Sequence, residues 1–399
     1  MSSIFQPVEE KPVANIMVIG VGGGGGNAIN TMVECGLQRV TFVAANTDLQ
    51  ALKDSRADKS LQLGPGITRG MGAGADPERG KEAAQESYDE IREMIKGSDM
   101  VFITAGLGGG TGTGAAPLIA KASKEAGALT VAVVTKPFFF EAKRRMKNAE
   151  VGWEQLRRYV DTIITVPNDR LQSIMQKTSL FEDMMHQVDL VLYHAVKGIS
   201  DLINQPGFIN VDFADLKAVM KEVGPAVMGS GSSSGENRAR EAALKAIDNP
   251  LLEDTGIDGA KALLVNISCA RASLAMNEYV EANALLQEKV HEDANVITGV
   301  IFDESLGDEM RVTVIATGIS AVEATDDSII HEVLRKVEAV PVPVSVRPVE
   351  PTPEGNGTRY AEPNRPSRVA IPDPFFDERM RPREETELDK PAYIRKQAN

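Results

Sequence analysis

A glycine-rich stretch in the first third of the chain has the composition of a phosphate-binding loop. Residues 106–114 hold six glycines and two threonines in nine positions. Because glycine lacks a Cβ, such a backbone can curl until successive N–H groups face one anion, and a following helix adds its positive end. We therefore expect nucleotide phosphates here, although the Gly-Lys-Ser/Thr of a P-loop is absent. The alternative is an ordinary tight turn between a strand and a helix.

Two further loops of small residues precede it, at residues 20–27 and 70–77. In the first, Gly20, Gly22 and Gly25 satisfy the G-x-G-x-x-G pattern of dinucleotide-binding units, and Asp48 after the next strand supplies the acid of that pattern. A nicotinamide-dependent oxidoreductase is therefore a second functional hypothesis. It leaves the loop at 106–114 unexplained.

The elements that must position these loops alternate between strands and helices. Apolar runs predict strands at residues 15–19, 40–45, 99–104, 129–135 and 161–166. Helices are predicted between them, including 77–96 and 115–126. This alternation predicts an α/β fold with a parallel, Rossmann-like sheet that binds ligands at the carboxyl ends of its strands. All three loops fall at that edge.

A long helix and a second unit are predicted to follow. Residues 180–203 contain no proline and one glycine, which predicts a single helix of about 35 Å. A serine-glycine loop at 229–235, a helix at 236–247 and three strands at 261–270, 294–302 and 310–318 then predict a smaller α+β domain.

The C-terminal part of the chain changes in character. Residues 340–383 are rich in proline and charge, which is typical of a disordered linker. At the end, the apolar pair Tyr393 and Ile394 lies beside basic residues, which is typical of a short peptide that orders on a partner.

Composition excludes several classes of protein. The net charge of −14 argues against a general nucleic-acid binder, which would normally carry a basic face. Cys35 and Cys269 are far apart and fit no metal or disulfide spacing, so we expect reduced thiols in a cytosolic protein. The four histidines form no ligand motif. No apolar run approaches the ~20 residues of a membrane span, and residues 1–12 have no signal-peptide core.

Residues 108–114, Gly-Gly-Gly-Thr-Gly-Thr-Gly, resemble the tubulin signature. Together with the loops at 22–27, 46–48, 137–145 and 210–215, they make the chain similar to the FtsZ family, the bacterial tubulin-like cell-division GTPases. The resemblance covers residues 13–319 and the last eleven. It implies the following organisation: a leader (1–12), a GTP-binding domain (13–179), a central connecting helix (180–207), a second, activating domain (208–319), a mostly disordered linker (320–388) and a partner-binding tail (389–399).

The resemblance also implies a ligand and its contacts. The ligand is GTP or GDP, with Mg²⁺ on its phosphates and few protein ligands to the metal. Glu141 is expected at the ribose with Arg145 beside it, Asn168 on the base side, and Asp189 at the guanine edge. The phosphate loops are expected to comprise Gly23, Gly24, Gly25, Gly26, Asn27, Asn46, Asp48, Gly72, Ala73, Gly74, Ala75, Gly108, Gly109, Gly110, Thr111, Gly112 and Thr113.

Catalysis is implied at Asn210, Asp212 and Asp215, on a loop that acts on the nucleotide of the next subunit. Two carboxylates three residues apart at a helix start can face one way. They would repel phosphates in a closed pocket, yet can orient a water molecule when presented from outside. The implied protein is a GTPase that polymerises head to tail in the cytoplasmic division ring at mid-cell. A role for Asp212 as a helix cap, and a tubulin-like scaffold without hydrolysis, are the alternatives.

Three departures from the family pattern concern the base, the loop at 137–145 and the tail, where Tyr393 and Ile394 stand in place of two other apolar residues. Met185 lies where the family usually has a phenylalanine that packs on the base, and a thioether covers an aromatic face less rigidly. Phe139 replaces a commonly polar residue. The tail, Asp389 to Gln397, is implied to bind division proteins, including a membrane-tethering actin-like protein, so that attachment to the membrane is indirect.

Overall fold

The computed structural model describes residues 14–174, 180–205, 207–209, 211–221, 225–252, 257, 259–271 and 273–319. The predicted leader, linker and tail lie outside these residues, and so does Asn210.

The described residues form ten strands, twelve α-helices and two short 3₁₀ turns, Phe139–Glu141 and Glu304–Leu306. The strands are β1 (Ile16–Val21), β2 (Thr41–Asn46), β3 (Lys59–Gln62), β4 (Met100–Gly106), β5 (Leu129–Lys136), β6 (Thr162–Pro167), β7 (Pro225–Ser234), β8 (Ala262–Cys269), β9 (Asn295–Phe302) and β10 (Glu309–Thr317). The helices are α1 (Gly22–Glu34), α2 (Leu49–Lys53), α3 (Pro65–Thr68), α4 (Pro77–Glu86), α5 (Tyr88–Ile95), α6 (Thr111–Glu125), α7 (Lys143–Arg157), α8 (Asn168–Ile174), α9 (Phe181–Asn204), α10 (Phe213–Met220), α11 (Arg238–Ile247) and α12 (Met276–Gln287).

The strands form one sheet in the order β3-β2-β1-β4-β5-β6-β7-β10-β8-β9. From β3 to β7 every neighbouring pair is parallel, which confirms the predicted α/β architecture. Strand β10 runs antiparallel to both β7 and β8, and β8 pairs with β9 in parallel, so the second part is a smaller mixed α+β unit.

Both faces of the parallel part are covered, which explains why its strands are apolar throughout. Phe102 of β4 points into a core shared with α1 and α9, whereas the next residue, Ile103, points into a core shared with α4, α5 and α6. Side chains alternate between the faces of a strand, so adjacent residues enter different cores. A third core, containing Val265 and Val312, lies between the mixed part of the sheet and helices α11 and α12.

The loops predicted at 20–27 and 106–114 are shorter than expected, because several of their glycines belong to the helices that follow. Helix α1 starts at Gly22, inside the glycine run, and α6 starts at Thr111, four residues earlier than predicted. The single helix predicted at 77–96 is wrong, since Ser87 divides it into α4 and α5. The Ser87 hydroxyl accepts from the Gly64 N–H at 3.1 Å, a long-range bond that no local pattern shows.

The serine-glycine loop predicted at 229–235 is also wrong, because β7 continues to Ser234. Helix α11 lies directly on this strand. A Cβ added to Gly229 would lie 2.0 Å from the Ala246 carbonyl oxygen, and one added to Gly231 would lie 2.3 Å from that of Ala242. The glycines therefore serve close packing of a helix on a strand and do not mark a turn.

We expect Gly229→Ala to destabilise the protein by about 2 kcal/mol, because the new methyl group must displace the backbone of α11. Urea unfolding followed by circular dichroism measures the effect. Ser234→Ala, at an exposed position of the same strand, is the matched control and should leave the midpoint unchanged. A Gly229→Ala midpoint equal to that of the control would contradict this packing account.

Helix α9 connects the two edges of the sheet. Strand β6 ends at the carboxyl edge, where α8 begins, and β7 starts at the opposite edge, where Pro225 pairs with Ile163. The 24 residues of α9 span about 36 Å. The helix therefore begins near the glycine loops and ends at the far edge of the sheet. Among the described residues, no helix is long and apolar enough to cross a bilayer.

Candidate nucleotide-binding site

Four loops border the site: the first at residues 20–27, the second at 46–48, the third at 70–77 and the fourth at 106–114. The first and fourth loops meet because their strands, β1 and β4, are neighbours. Strands β1 and β4 pair in parallel, with Val21 opposite Ala105, so the loops that follow leave the sheet side by side. An added Cβ on Gly22, whose φ is +73°, would lie 2.9 Å from the Gly112 nitrogen. One on Gly24 would lie 3.3 Å from the Gly106 Cα. Only glycine allows this contact between two backbones.

Two helix N-termini converge at this point. Helices α1 and α6 begin directly after β1 and next to β4, and the first N–H groups of a helix lack intrahelical partners. Their partial positive charges add. Added Cβ atoms on Gly23, Gly26 and Gly109 would meet nothing within 4 Å, so these backbones border open space. The arrangement can hold an extended anion such as a polyphosphate.

The Gly108 N–H is used within the fourth loop. It donates to the Thr113 hydroxyl at 2.9 Å, and Gly108 has a φ of +100°. This bond fixes the curvature of the loop before any ligand binds. The sequence predicted that all residues from 108 to 113 contact phosphate. In this conformation the Gly108 N–H is already bonded to Thr113 within the loop.

Buried threonines tie the second and third loops to the fourth. The Thr47 and Thr111 hydroxyl oxygens lie 2.6 Å apart. The Thr47 carbonyl oxygen accepts from the Gly72 N–H at 3.2 Å and from the Thr68 hydroxyl at 3.2 Å. The sequence predicted ligand contacts at the neighbours Asn46 and Asp48 but none at Thr47. A hydroxyl group that bonds to distant parts of the chain gives no local signal in the sequence.

Asp48 and the loop at 70–76 complete this side of the site. The Asp48 carboxylate caps α2 by accepting from the Gln50 N–H at 2.8 Å. Gly72 and Gly74 have φ values of +81° and +65°, and Ala75 takes the same left-handed region at +60°. A Cβ on Gly110 would lie 2.8 Å from the Ala73 Cβ, so the third loop packs against the fourth.

A cleft of about 210 Å³ lies beside the first loop. Its wall combines glycine backbone with amide side chains and includes predicted contacts of both the first and the second loop. The lining residues are Gly20, Gly22, Gly23, Gly26, Asn27, Asn30, Ala44, Ala45, Asn46, Ala51, Leu52 and Asp54.

The predicted ribose and base contacts follow β5 and β6. The Glu141 carboxylate pairs with Arg145 at 2.6 Å and accepts from the Phe138 N–H at 2.9 Å. The Phe139 N–H donates to Asp169 at 2.8 Å, which links the ends of the two strands. Asn168 is 5 % exposed, and its Oδ1 has no hydrogen-bond partner among the described residues. A buried acceptor of this kind suits an N–H donor on a ligand.

Asp189 lies half-buried on the third turn of α9. Burial raises the pKa of its carboxyl to about 7. Four residues before it, Met185 is partly exposed, and at the start of the helix Phe181 is 63 % exposed. The exposed Phe181 ring is an aromatic surface at this end of α9 that the sequence comparison with the family pattern did not single out.

The predicted catalytic acids lie elsewhere. Asp212 occupies the N-cap position of α10 and Asp215 lies in its first turn; both side chains are exposed. They follow the carboxyl end of α9, at the edge of the sheet opposite to the glycine loops. The structure thus brings the phosphate loops together and separates them from the two acids.

Comparisons with known proteins agree with this architecture. Residues 15–176 match the GTPase domain of the Tubulin/FtsZ family, and residues 224–320 match the C-terminal domain of the FtsZ family. Cell division protein FtsZ of Coxiella burnetii is 46 % identical over 398 residues, 98 % of this chain and 99 % of the relative. That of Pseudomonas aeruginosa is 53 % identical over 77 % of this chain and 78 % of its own length.

Solved structures of FtsZ and of a related protein have the same fold as this chain. An empty FtsZ dimer from M. jannaschii has a TM-score of 0.74 at 45 % identity, covering 77 % of this chain and 89 % of that one. CetZ1 from Haloferax volcanii in a GDP-bound monomer has a TM-score of 0.67 at 21 % identity, covering 81 % of this chain and 99 % of that one, which shows the fold alone.

Fold and site therefore define a tubulin-like GTPase. The chain belongs to the FtsZ family of cell-division GTPases. The nicotinamide alternative receives no support from these comparisons.

Proposed function

We propose that this chain polymerises head to tail and hydrolyses GTP at each contact between successive subunits. The observation that carries the proposal is the position of Asp212 and Asp215. They lie at the opposite edge of the sheet from the glycine loops, and α9 spans about 36 Å between the two edges.

A catalytic carboxylate must reach the attacking water within hydrogen-bond distance or through one further water. Asp212 cannot meet this condition for a nucleotide in the glycine loops of its own subunit. It can meet it for a second copy stacked on the far edge. Such a contact joins two different surfaces and repeats without closing, which produces a filament. The FtsZ structure from M. jannaschii, a dimer at 45 % identity, is consistent with self-association.

Exposed apolar side chains at both ends support the same contact. Phe181 is 63 % exposed at the start of α9, and Phe208, just beyond its end, is 76 % exposed. Burial of such residues between subunits would stabilise the filament.

Within the site, the four loops hold the phosphates, Glu141 and Arg145 the ribose, and Asn168 and Asp189 the base. No group of three or more histidine, cysteine or acidic side chains in the described part of the chain could hold a metal ion. Phosphate oxygens and water are ligands that Mg²⁺ prefers, and we propose that they hold it here, where it neutralises phosphate charge. The protein acts in the cytoplasm at mid-cell, with its tail on division partners that attach it to the membrane.

The binding of GTP is expected to depend on pH through Asp189. Only the ionised carboxylate accepts from both the N1–H and the N2–H of guanine. Since burial raises the pKa of this group to about 7, protonation competes with binding below that pH. The affinity should fall by about tenfold per pH unit on the acid side and level off on the alkaline side. Titration with a fluorescent GDP between about pH 6 and pH 8 measures the profile. Asp189→Asn should flatten it, and an unchanged profile in that variant would assign the dependence to another group.

Light scattering and phosphate release, recorded together after GTP is added to the protein with Mg²⁺, test the whole proposal. We expect scattering to rise and then decay as phosphate appears, and the rate per subunit to increase with protein concentration. Phosphate release that is independent of concentration, without scattering, would mean a self-contained active site.

A further inference from the structure

The turn between α1 and β2 holds the carboxyl end of α9. The Arg39 Nη1 donates to the backbone carbonyl oxygen of Asn204, the last residue of α9. In return, the Asn204 Nδ2 donates to the Arg39 carbonyl oxygen at 2.8 Å. A cation at this end of a helix also interacts favourably with the helix dipole. The reciprocal contact, which we call the 39–204 clasp, joins residues 165 positions apart.

The geometry on both sides is unusual. Arg39 has a φ of +61°, a conformation that glycine adopts freely and other residues rarely adopt. Asn204 is 6 % exposed, and its Oδ1 has no partner among the described residues, so its bond to Arg39 orients the amide. The local conformational preferences of Arg39 and Asn204 do not explain this arrangement, whereas the contact between the two residues does.

The clasp lies where the chain leaves α9 for Asp212. Gln205 ends the helix, and its Nε2 donates to the Asp201 carboxylate at 2.9 Å. The Phe208 N–H then donates to the Val300 carbonyl oxygen at 3.0 Å. The direction in which the chain departs toward Asp212 is therefore set by contacts at Asn204, Gln205 and Phe208.

At its other end the clasp is connected to the phosphate loops. Helix α1 begins at Gly22 in the first loop, and Arg39 follows its carboxyl end after five residues. Met32 and Leu37 share an apolar core with Leu202 of α9. Because such cores are close-packed, a shift of α1 is transmitted to the end of α9.

We propose that Arg39 is a positioning residue for hydrolysis. It ties the helix that begins at the phosphate loop to the end of α9 and so sets where the chain presents Asp212 to the next subunit. The inference rests on the proposed function, in which Asp212 acts on the nucleotide of a neighbour. A small misplacement of a catalytic group is enough to lower the rate.

The test compares full-length variants in phosphate release at saturating GTP and Mg²⁺, in affinity for a fluorescent GDP, and in thermal unfolding. Arg39→Gly keeps the left-handed backbone and removes the guanidinium. We expect kcat per assembled subunit to fall by about three- to tenfold, the effect of one hydrogen bond, with the affinity unchanged and the unfolding temperature unchanged or raised. Arg39→Lys retains a cation within reach of the carbonyl and should restore most of the rate. Arg56→Ala, which removes an exposed ion pair with Glu34 on α1, is the matched control with wild-type activity.

An Arg39→Gly variant with the wild-type kcat would overturn the inference while leaving the proposed function intact. A loss of rate accompanied by a loss of GDP affinity of the same factor would also overturn it, because Arg39 would then act on binding. So would a loss of rate accompanied by a lower unfolding temperature, because Arg39 would then act on stability. A wild-type chain that releases phosphate without assembling would overturn the proposed function itself, and this inference with it.

Discussion

Replacing Asp212 by alanine is expected to reduce GTP hydrolysis by a factor of about 100 or more, while the affinity for GTP remains that of the wild type. The carboxylate orients and polarises the attacking water, and its loss leaves only the positioning and charge stabilisation provided by the loops. Binding is unaffected because Asp212 lies at the edge of the sheet opposite to the nucleotide of its own subunit. Asp293→Ala, at a highly exposed acid of the same domain, is the control and should retain full activity.

A mixing experiment tests whether the site is shared. Asp212→Ala supplies intact nucleotide loops, and Asp189→Ala supplies an intact catalytic loop. In an equimolar mixture about a quarter of the head-to-tail contacts combine the two intact halves, so activity should return to about that fraction of the wild-type rate. If the mixture stays as inactive as the separate variants, although both are present in the same filaments, each subunit uses its own acid and the shared site is wrong.

The second large effect is expected at the base. Asp189→Ala should weaken GTP binding by about 1,000-fold and abolish the preference for guanine over adenine, because two charge-assisted hydrogen bonds to the N1–H and N2–H groups are lost. Equilibrium titration with fluorescent guanine and adenine nucleotides measures both changes. Asp183→Ala, at an exposed acid on the first turn of α9, controls for the charge of the helix.

Xanthosine triphosphate separates recognition of the base from damage to the fold. Xanthine has a carbonyl oxygen where guanine has the 2-amino group, so an amide that donates one bond and accepts another fits it. Asp189→Asn should therefore bind xanthosine triphosphate more tightly than GTP. An Asp189→Asn variant that keeps the wild-type preference for GTP over xanthosine triphosphate would place the base elsewhere.

The loops and strands of the GTPase part could be predicted because their signals are local. The apolar run of β4 and the glycines beyond it are contiguous, and a strand that leads through a glycine-rich loop into a helix favours a phosphate site over an ordinary turn. The predictions were wrong where a glycine or a serine contacts another helix, strand or loop in the folded chain. Gly229 and Gly231 indicated a loop because the helix that lies on them, α11, comes later in the chain. Ser87 interrupts a helical pattern because of Gly64.

The sequence by itself determined the class of this protein: alternating strands and helices, three loops of small residues and the Gly/Thr signature are properties of neighbouring residues and survive without coordinates. Only the tertiary structure decided the distances. It brought Thr47 against Thr111, placed Arg39 on the end of α9 and put Asp212 at the far edge of the sheet from the glycine loops. The direction and length of α9 set that separation. The sequence predicted the length of α9 but not its direction, because the direction results from packing a 24-residue helix across a parallel sheet.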